Sequence, residues 1–222
     1  MVKKTVKTVN YAIEQFIDFS PPMPMSTDEY VELANKYLLP AQERLGFRVI
    51  GAWEYDSSRL SSIYQILGFE SLEDIARFEK LRKEDADFAA FETRVEELAP
   101  EKQEHILKVA LDNSIAYSTE PHGVYSMAFL DAHAGKLQTV VDMALESSAV
   151  EINNSRITFT ATRLTGKRNV MLDLWYGHLG RERDGYAPYP VEGHDYMRNQ
   201  LRAVTYDEKI LYMYPLPYSP LK

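Results

Sequence analysis

Glu104-His105-Ile106-Leu107 and Glu208-Lys209-Ile210-Leu211 read as two versions of one strand, half a chain apart. A helical pattern precedes each. Phe88, Phe91, Val95 and Leu98 precede the first, and His194, Met197, Leu201 and Val204 precede the second with the same internal spacing. Spacings of three and four put each set on one helix face. Both segments therefore close a unit, and the chain reads as one order of elements run twice.

Outward from the first closing strand, the elements fall in the order β-α-β-β-α-β. Thr5–Phe19 is extended and stopped by Pro21, Pro22 and Pro24. Ser26 and Glu29 form a capping box for a helix that Pro40 should kink or split and Gly46 should end. Phe47–Tyr55 and Ser62–Phe69 are strands joined by a polar turn, Ser71 and Asp74 begin the next helix, and His105–Leu111 closes the unit. In the second half the strand Val124–Asp131, the helix Lys136–Ala149, the hairpin Arg156–Leu164 with Asn169–Gly177, a helix through Met197, and the strand Glu208–Tyr214 repeat that order. The fold class expected is α+β: two ferredoxin-like units, 1–111 and 123–222, joined by a polar linker at 112–122. A four-stranded sheet with helices on one face leaves its other face bare. Two such units packed sheet to sheet cover each other and form an intramolecular α/β barrel.

Composition narrows the function. The 222 residues include no cysteine, which removes disulfides, thiolate metal sites and a cysteine nucleophile. Net charge is −8 with scattered basic residues, so no nucleic-acid partner is expected. No apolar run reaches the length of a membrane span, and no apolar stretch follows the basic N-terminus, so a cytoplasmic location is expected. Fifteen tyrosines offer apolar faces with polar tips, suited to a core or to a small-molecule partner.

Several segments together resemble the NIPSNAP family within the dimeric α/β-barrel superfamily. They are Leu38-Leu39-Pro40-Ala41-Gln42-Glu43-Arg44-Leu45-Gly46, Asp85-Ala86-Asp87-Phe88-Ala89-Ala90-Phe91, Glu104-His105-Ile106-Leu107, Ala134-Gly135-Lys136-Leu137 and Leu174-Trp175. The resemblance implies the fold, dimerisation or tandem duplication, and a pocket between sheet and helices. Superfamily relatives include cofactor-free monooxygenases, isomerases, dehydratases and haem enzymes, so fold analogy selects no chemistry. The family's third strand often carries a histidine, and here Gln65 and Asp173 stand at that position.

The second half lacks the start of its second helix and has instead a loop through residues 178–193. Loops of this length on a rigid sheet gather binding groups, although plain connecting loops also exist. His178 and His194 flank it, and with Asp173 they form a candidate acid–base set. Arg181 and Arg183 are candidates to hold an anionic group, with Trp175, Tyr176, Tyr186, Tyr189 and Tyr125 shaping the site. In the first half Glu14, Gln65 and His105 are expected to converge, either as a second site or as hydrogen bonds across the barrel interior that hold the units in register. No cofactor is expected; haem on a histidine, or a metal on two histidines and a carboxylate, are the alternatives weighed.

Two functions follow. One is an enzyme acting on a small, largely apolar, aromatic or unsaturated molecule by acid–base or cofactor-independent oxygen chemistry, of monooxygenase, isomerase or lyase type. The other is a non-catalytic ligand-binding or assembly protein. A homodimer fits either.

Overall fold

Both faces of the first strand are buried. Along Tyr11–Asp18 (β1), Ala12 and Glu14 turn one way, Ile13, Gln15 and Ile17 turn the other, and all five are inaccessible. A strand with two buried faces belongs to a sheet covered on both sides. The computed structural model, which describes residues 6, 8–20, 24–55, 62–117, 124–149, 156–176 and 194–222, supplies both covers. One is a layer of helices; the other is the interior of a closed barrel.

Eight strands make that barrel: β1, Arg48–Tyr55 (β2), Ser62–Phe69 (β3), Gln103–Asp112 (β4), Tyr125–Ala132 (β5), Arg156–Arg163 (β6), Val170–Tyr176 (β7) and Thr205–Pro215 (β8). Their order around the barrel is β1-β3-β2-β8-β5-β7-β6-β4, and every pairing is antiparallel. The first four strands run 4-1-3-2, and the last four repeat that order as 8-5-7-6. The sheets join edge to edge through β2–β8 and β4–β6, so no strand edge is left open. This is the expected α+β architecture: two ferredoxin-like arrangements packed as an intramolecular α/β barrel.

Helices cover the outside. Over the first sheet lie Pro24–Leu33 (α1), a π-helical turn Ala34–Leu38, Leu39–Leu45 (α2), Leu72–Glu84 (α3) and Ala86–Leu98 (α4). The first helix begins at Pro24, one turn's edge ahead of the expected Ser26. The expected split at Pro40 takes the form of the π turn, in which the Leu39 amide reaches back to the Ala34 carbonyl. Widening the helix there relieves the clash of the proline ring with the preceding turn. Gly46 ends α2 at φ 78°. Asp85 caps α4 through the Phe88 amide and receives Arg44 from α2, tying three helices together. A short helix Ser114–Tyr117 (α5) lies within the expected linker, and Leu137–Ser148 (α6) and His194–Val204 (α7) cover the second sheet. Among the described residues no helix is long and apolar enough to cross a membrane.

Candidate functional site

On the helix-facing side of the second sheet, one row of side chains runs across four strands: Thr160 on β6, Asp173 on β7, Ala128 on β5 and Ile210 on β8. The floor beneath α6 is apolar, built from Val140, Val141 and Ala144 of the helix against Leu130, Ile157 and Met171 of the sheet. Into it Asp173 projects a carboxyl group with 4% exposure. Among the described residues its hydrogen-bond partner is Thr160, whose hydroxyl donates to Asp173 Oδ1 at 2.8 Å. Burial pushes the Asp173 carboxyl up to about 7; the Thr160 bond works against that rise and the charge of Glu208 adds to it. A carboxyl balanced near neutrality can both take and return a proton. Trp175, two residues along the same face, packs half-buried at the edge of this layer.

The equivalent row in the first half is Ala52, Gln65, Gln15 and Glu104. A bulge fixes the correspondence, falling between Val49 and Gly51 in β2 and between Ile157 and Phe159 in β6, just beyond the partners of Gln65 and Asp173. Here the row is polar and closed. Tyr218, from the segment after β8, donates to Gln65 Oε1 at 2.6 Å, Gln65 donates to Gln15 at 2.6 Å, and Gln15 donates to Glu104 at 2.6 Å. Lys102 and Arg82 then meet Glu104 at 2.8 and 3.3 Å. Burial opposes the Glu104 charge, but Lys102 and Arg82 outweigh it and hold the carboxyl below its ordinary value. Burial also pushes the Tyr218 phenol well up, so it stays protonated and donates.

Glu14 faces the other way, into the barrel. Tyr64 donates to its Oε2 at 3.0 Å, and Arg163 of β6 forms an ion pair with Oε1. Phe16 and Phe129 rings lie 6.0 and 5.2 Å from that guanidinium. The expected convergence of Glu14, Gln65 and His105 is therefore corrected. Glu14 pairs across the ladder with Ile66, not Gln65, so the two side chains leave on opposite faces. His105 stands beside Glu14 in the ladder, with its ring over Gly166.

Of the other residues read from the sequence, Tyr176 and Tyr125 also belong to the barrel interior rather than to the Asp173 layer. The Tyr125 hydroxyl donates to the Lys222 carbonyl at 3.1 Å. His194 opens α7, and its side chain lies outside the described set, as do His178, Arg181, Arg183, Tyr186 and Tyr189 altogether. Asp173 and Trp175 are thus the described members of the second-half set that share one layer. Sequence reasoning did not single out Thr160, Arg163 or Tyr218 as partners; the alternation Thr158, Thr160, Thr162 in β6 is the one signal that pointed to a hydroxyl row. Among the described residues no three histidines or carboxylates cluster as a metal site.

Two ferredoxin-like halves closing one eight-stranded barrel decide the architecture. The chain has the fold of a dimeric α/β barrel, closed here within one chain. A proposed monooxygenase from Fusobacterium nucleatum shares this fold over 95% of this chain and 94% of its own, with a TM-score of 0.67 at 10% identity. An anthrone oxidase-like protein matches over 97% of this chain and 95% of its own, with a TM-score of 0.61 at 10% identity. A NIPSNAP family protein from Agrobacterium tumefaciens is 23% identical over 43% of this barrel and 89% of its own chain, with a TM-score of 0.37. No protein-family model matches the barrel, and no curated protein matches it in sequence.

Proposed function

We propose that this dimeric α/β barrel is an enzyme whose Asp173 removes a proton from a small, largely apolar aromatic substrate, leaving an anion that reacts with dioxygen without a bound cofactor. The observation that carries the reading is Asp173 itself: a carboxyl sunk in an apolar layer, held by one hydroxyl, and poised near neutral pH. An apolar floor suits an aromatic ring. It also strengthens the attraction between the carboxylate and the proton it takes. Trp175 supplies ring surface at the layer's edge, and His178 and His194 are assigned the return of protons as oxygen is reduced. Monooxygenase-type names among the structural neighbours are compatible with this chemistry, and the neighbours share the fold alone.

Anthrone tests it. Loss of a proton from the anthrone methylene gives a delocalised anion. Reaction with one dioxygen turns that carbon into a carbonyl, giving anthraquinone and one water, with the substrate as the source of electrons. Oxygen uptake and anthraquinone absorbance are followed in air-saturated buffer. The wild-type protein should turn over, with a rate that rises through about pH 7 as Asp173 ionises. Asp173→Asn should slow it by about a hundredfold or more. Equal rates in both proteins reject Asp173 as the base. Anthrone binding without any oxygen uptake returns the protein to the non-catalytic ligand-binding reading.

A further inference from the structure

We infer that the second-half site takes a hydroxyarene whose O–H is donated to Asp173, in the way the first half already holds its own Tyr218 against Gln65. The inference rests on the site proposed above and deepens it by naming the group the site recognises.

Gln65 and Asp173 occupy one position in two equivalent sheets, each on the third strand, with the same bulge beside it and a helix layer above. In the first half that position is satisfied from within. Tyr218 enters the layer, lies 6.3 Å from the Tyr30 ring, and places its phenol oxygen 2.6 Å from the Gln65 carbonyl. A phenol ring thus fits between sheet and helices, end-on to the third-strand polar group.

Among the described residues, no phenol meets Asp173 in the second half. Leu216, whose amide donates to the Ala52 carbonyl of β2 at 2.9 Å, corresponds to Leu111, which stands opposite Thr160 of β6. Two residues further on, Tyr218 is buried and carries a phenol, whereas Asn113 is half-buried and carries none. The rest of the row has changed in the same sense. Ala128 stands in place of Gln15 and Ile210 in place of Glu104, so the polar side chains that complete the first row are missing from the second. Thr160 serves Asp173 Oδ1. Among the described residues no donor meets Asp173 Oδ2, and a donor to a charged oxygen makes the stronger kind of hydrogen bond. A flat apolar molecule with one hydroxyl suits the row, its ring against the apolar side chains and its O–H toward Asp173.

Calorimetric titration of the intact protein at pH 8 with 1-naphthol, 1-methoxynaphthalene and naphthalene tests this. The three ligands share a ring system, and only the first can donate. Naphthol should bind about tenfold or more tightly than the other two, and the preference should vanish in Asp173→Ala. Tyr218→Phe, which removes the internal phenol hydroxyl from Gln65, should leave the preference unchanged. Equal affinity for naphthol and its methyl ether overturns the inference, as does a preference that survives Asp173→Ala. A preference abolished by Tyr218→Phe overturns it too, because the ligand would then be competing for the first half. Selective naphthol binding with no anthrone oxidation leaves the inference standing and removes the oxygenase; anthrone oxidation with no naphthol preference does the reverse.

Discussion

Asp173 is held in the layer against its own ionisation. In the unfolded chain its carboxyl titrates near the ordinary aspartate value of 3.8, and in the folded chain at about 7. Between those two values the unfolded state has lost a proton that the folded state keeps. Stability from this group therefore falls as pH rises from about 4 to about 7 and levels off above, by roughly 4 kcal/mol in all. Asn has the same shape without the charge and can still accept the Thr160 hydrogen bond. Urea titrations should find Asp173→Asn more stable than wild type at pH 8, by up to that amount, and close to it near pH 4. A difference independent of pH would show that the carboxyl is not the titrating group. A residue that costs stability where it is kept is one whose use lies elsewhere, which joins this expectation to the loss of turnover in the same variant.

At the scale of elements, the strands were legible and their faces only partly so. Ser62–Phe69 was delimited as it stands in the barrel, because β-branched and aromatic residues end there in polar turns. Alternation tells which residues share a face within a strand, but not how a strand registers against its neighbour. For that reason the sequence alone suggests that Glu14 and Gln65 converge, although they part to opposite faces. A slip of two residues is hidden even more easily, since it preserves the face. Glu104 lies in the row of Gln65, and in the second half that row holds Ile210 rather than Glu208, so the paired strand segments are two residues out of step. Asp173 is legible because the family resemblance marks its third-strand position, whereas Tyr218 is not, because its partner is 153 residues away.

Two element-scale outcomes follow. Ending the chain after Pro215 removes Leu216, Tyr218 and Leu221, all buried, together with the Ser219 hydroxyl that accepts from the Ala52 amide. Loss of these side chains should lower stability by several kcal/mol, at about 1.5–3 kcal/mol for each large apolar group, read as a lower urea midpoint. In the β6–β7 turn, Gly166 has φ 69°, and an added Cβ would come 2.8 Å from the His105 ring. Gly166→Ala should cost about 1 kcal/mol or more, and pairing it with His105→Ala should recover the steric part and leave the backbone part.

Across the whole molecule, the barrel interior decides whether the halves behave as one body. Arg163 reaches from β6 past β4 to Glu14 on β1, so a single ion pair spans the join between the two sheets. Glu14 is fully buried, and the Arg163 side chain is 13% exposed. Removing one member leaves the other charged among Phe16, Phe129 and Tyr64. Glu14→Gln should therefore cost about 3–5 kcal/mol, whereas the double replacement Glu14→Leu with Arg163→Met should recover most of that loss, because two apolar side chains suit the aromatic surroundings. Trp53 sits inside the barrel and Trp175 in the outer layer of the second half, so their fluorescence reports both regions. In urea the wild-type protein should lose both signals in one transition, since neither sheet keeps a covered inner face without the other. With Glu14→Gln, the midpoints read separately in Trp53→Phe and Trp175→Phe backgrounds should fall together. Midpoints that separate would show that each sheet finds its own cover, and that the pair aligns the halves without coupling their folding.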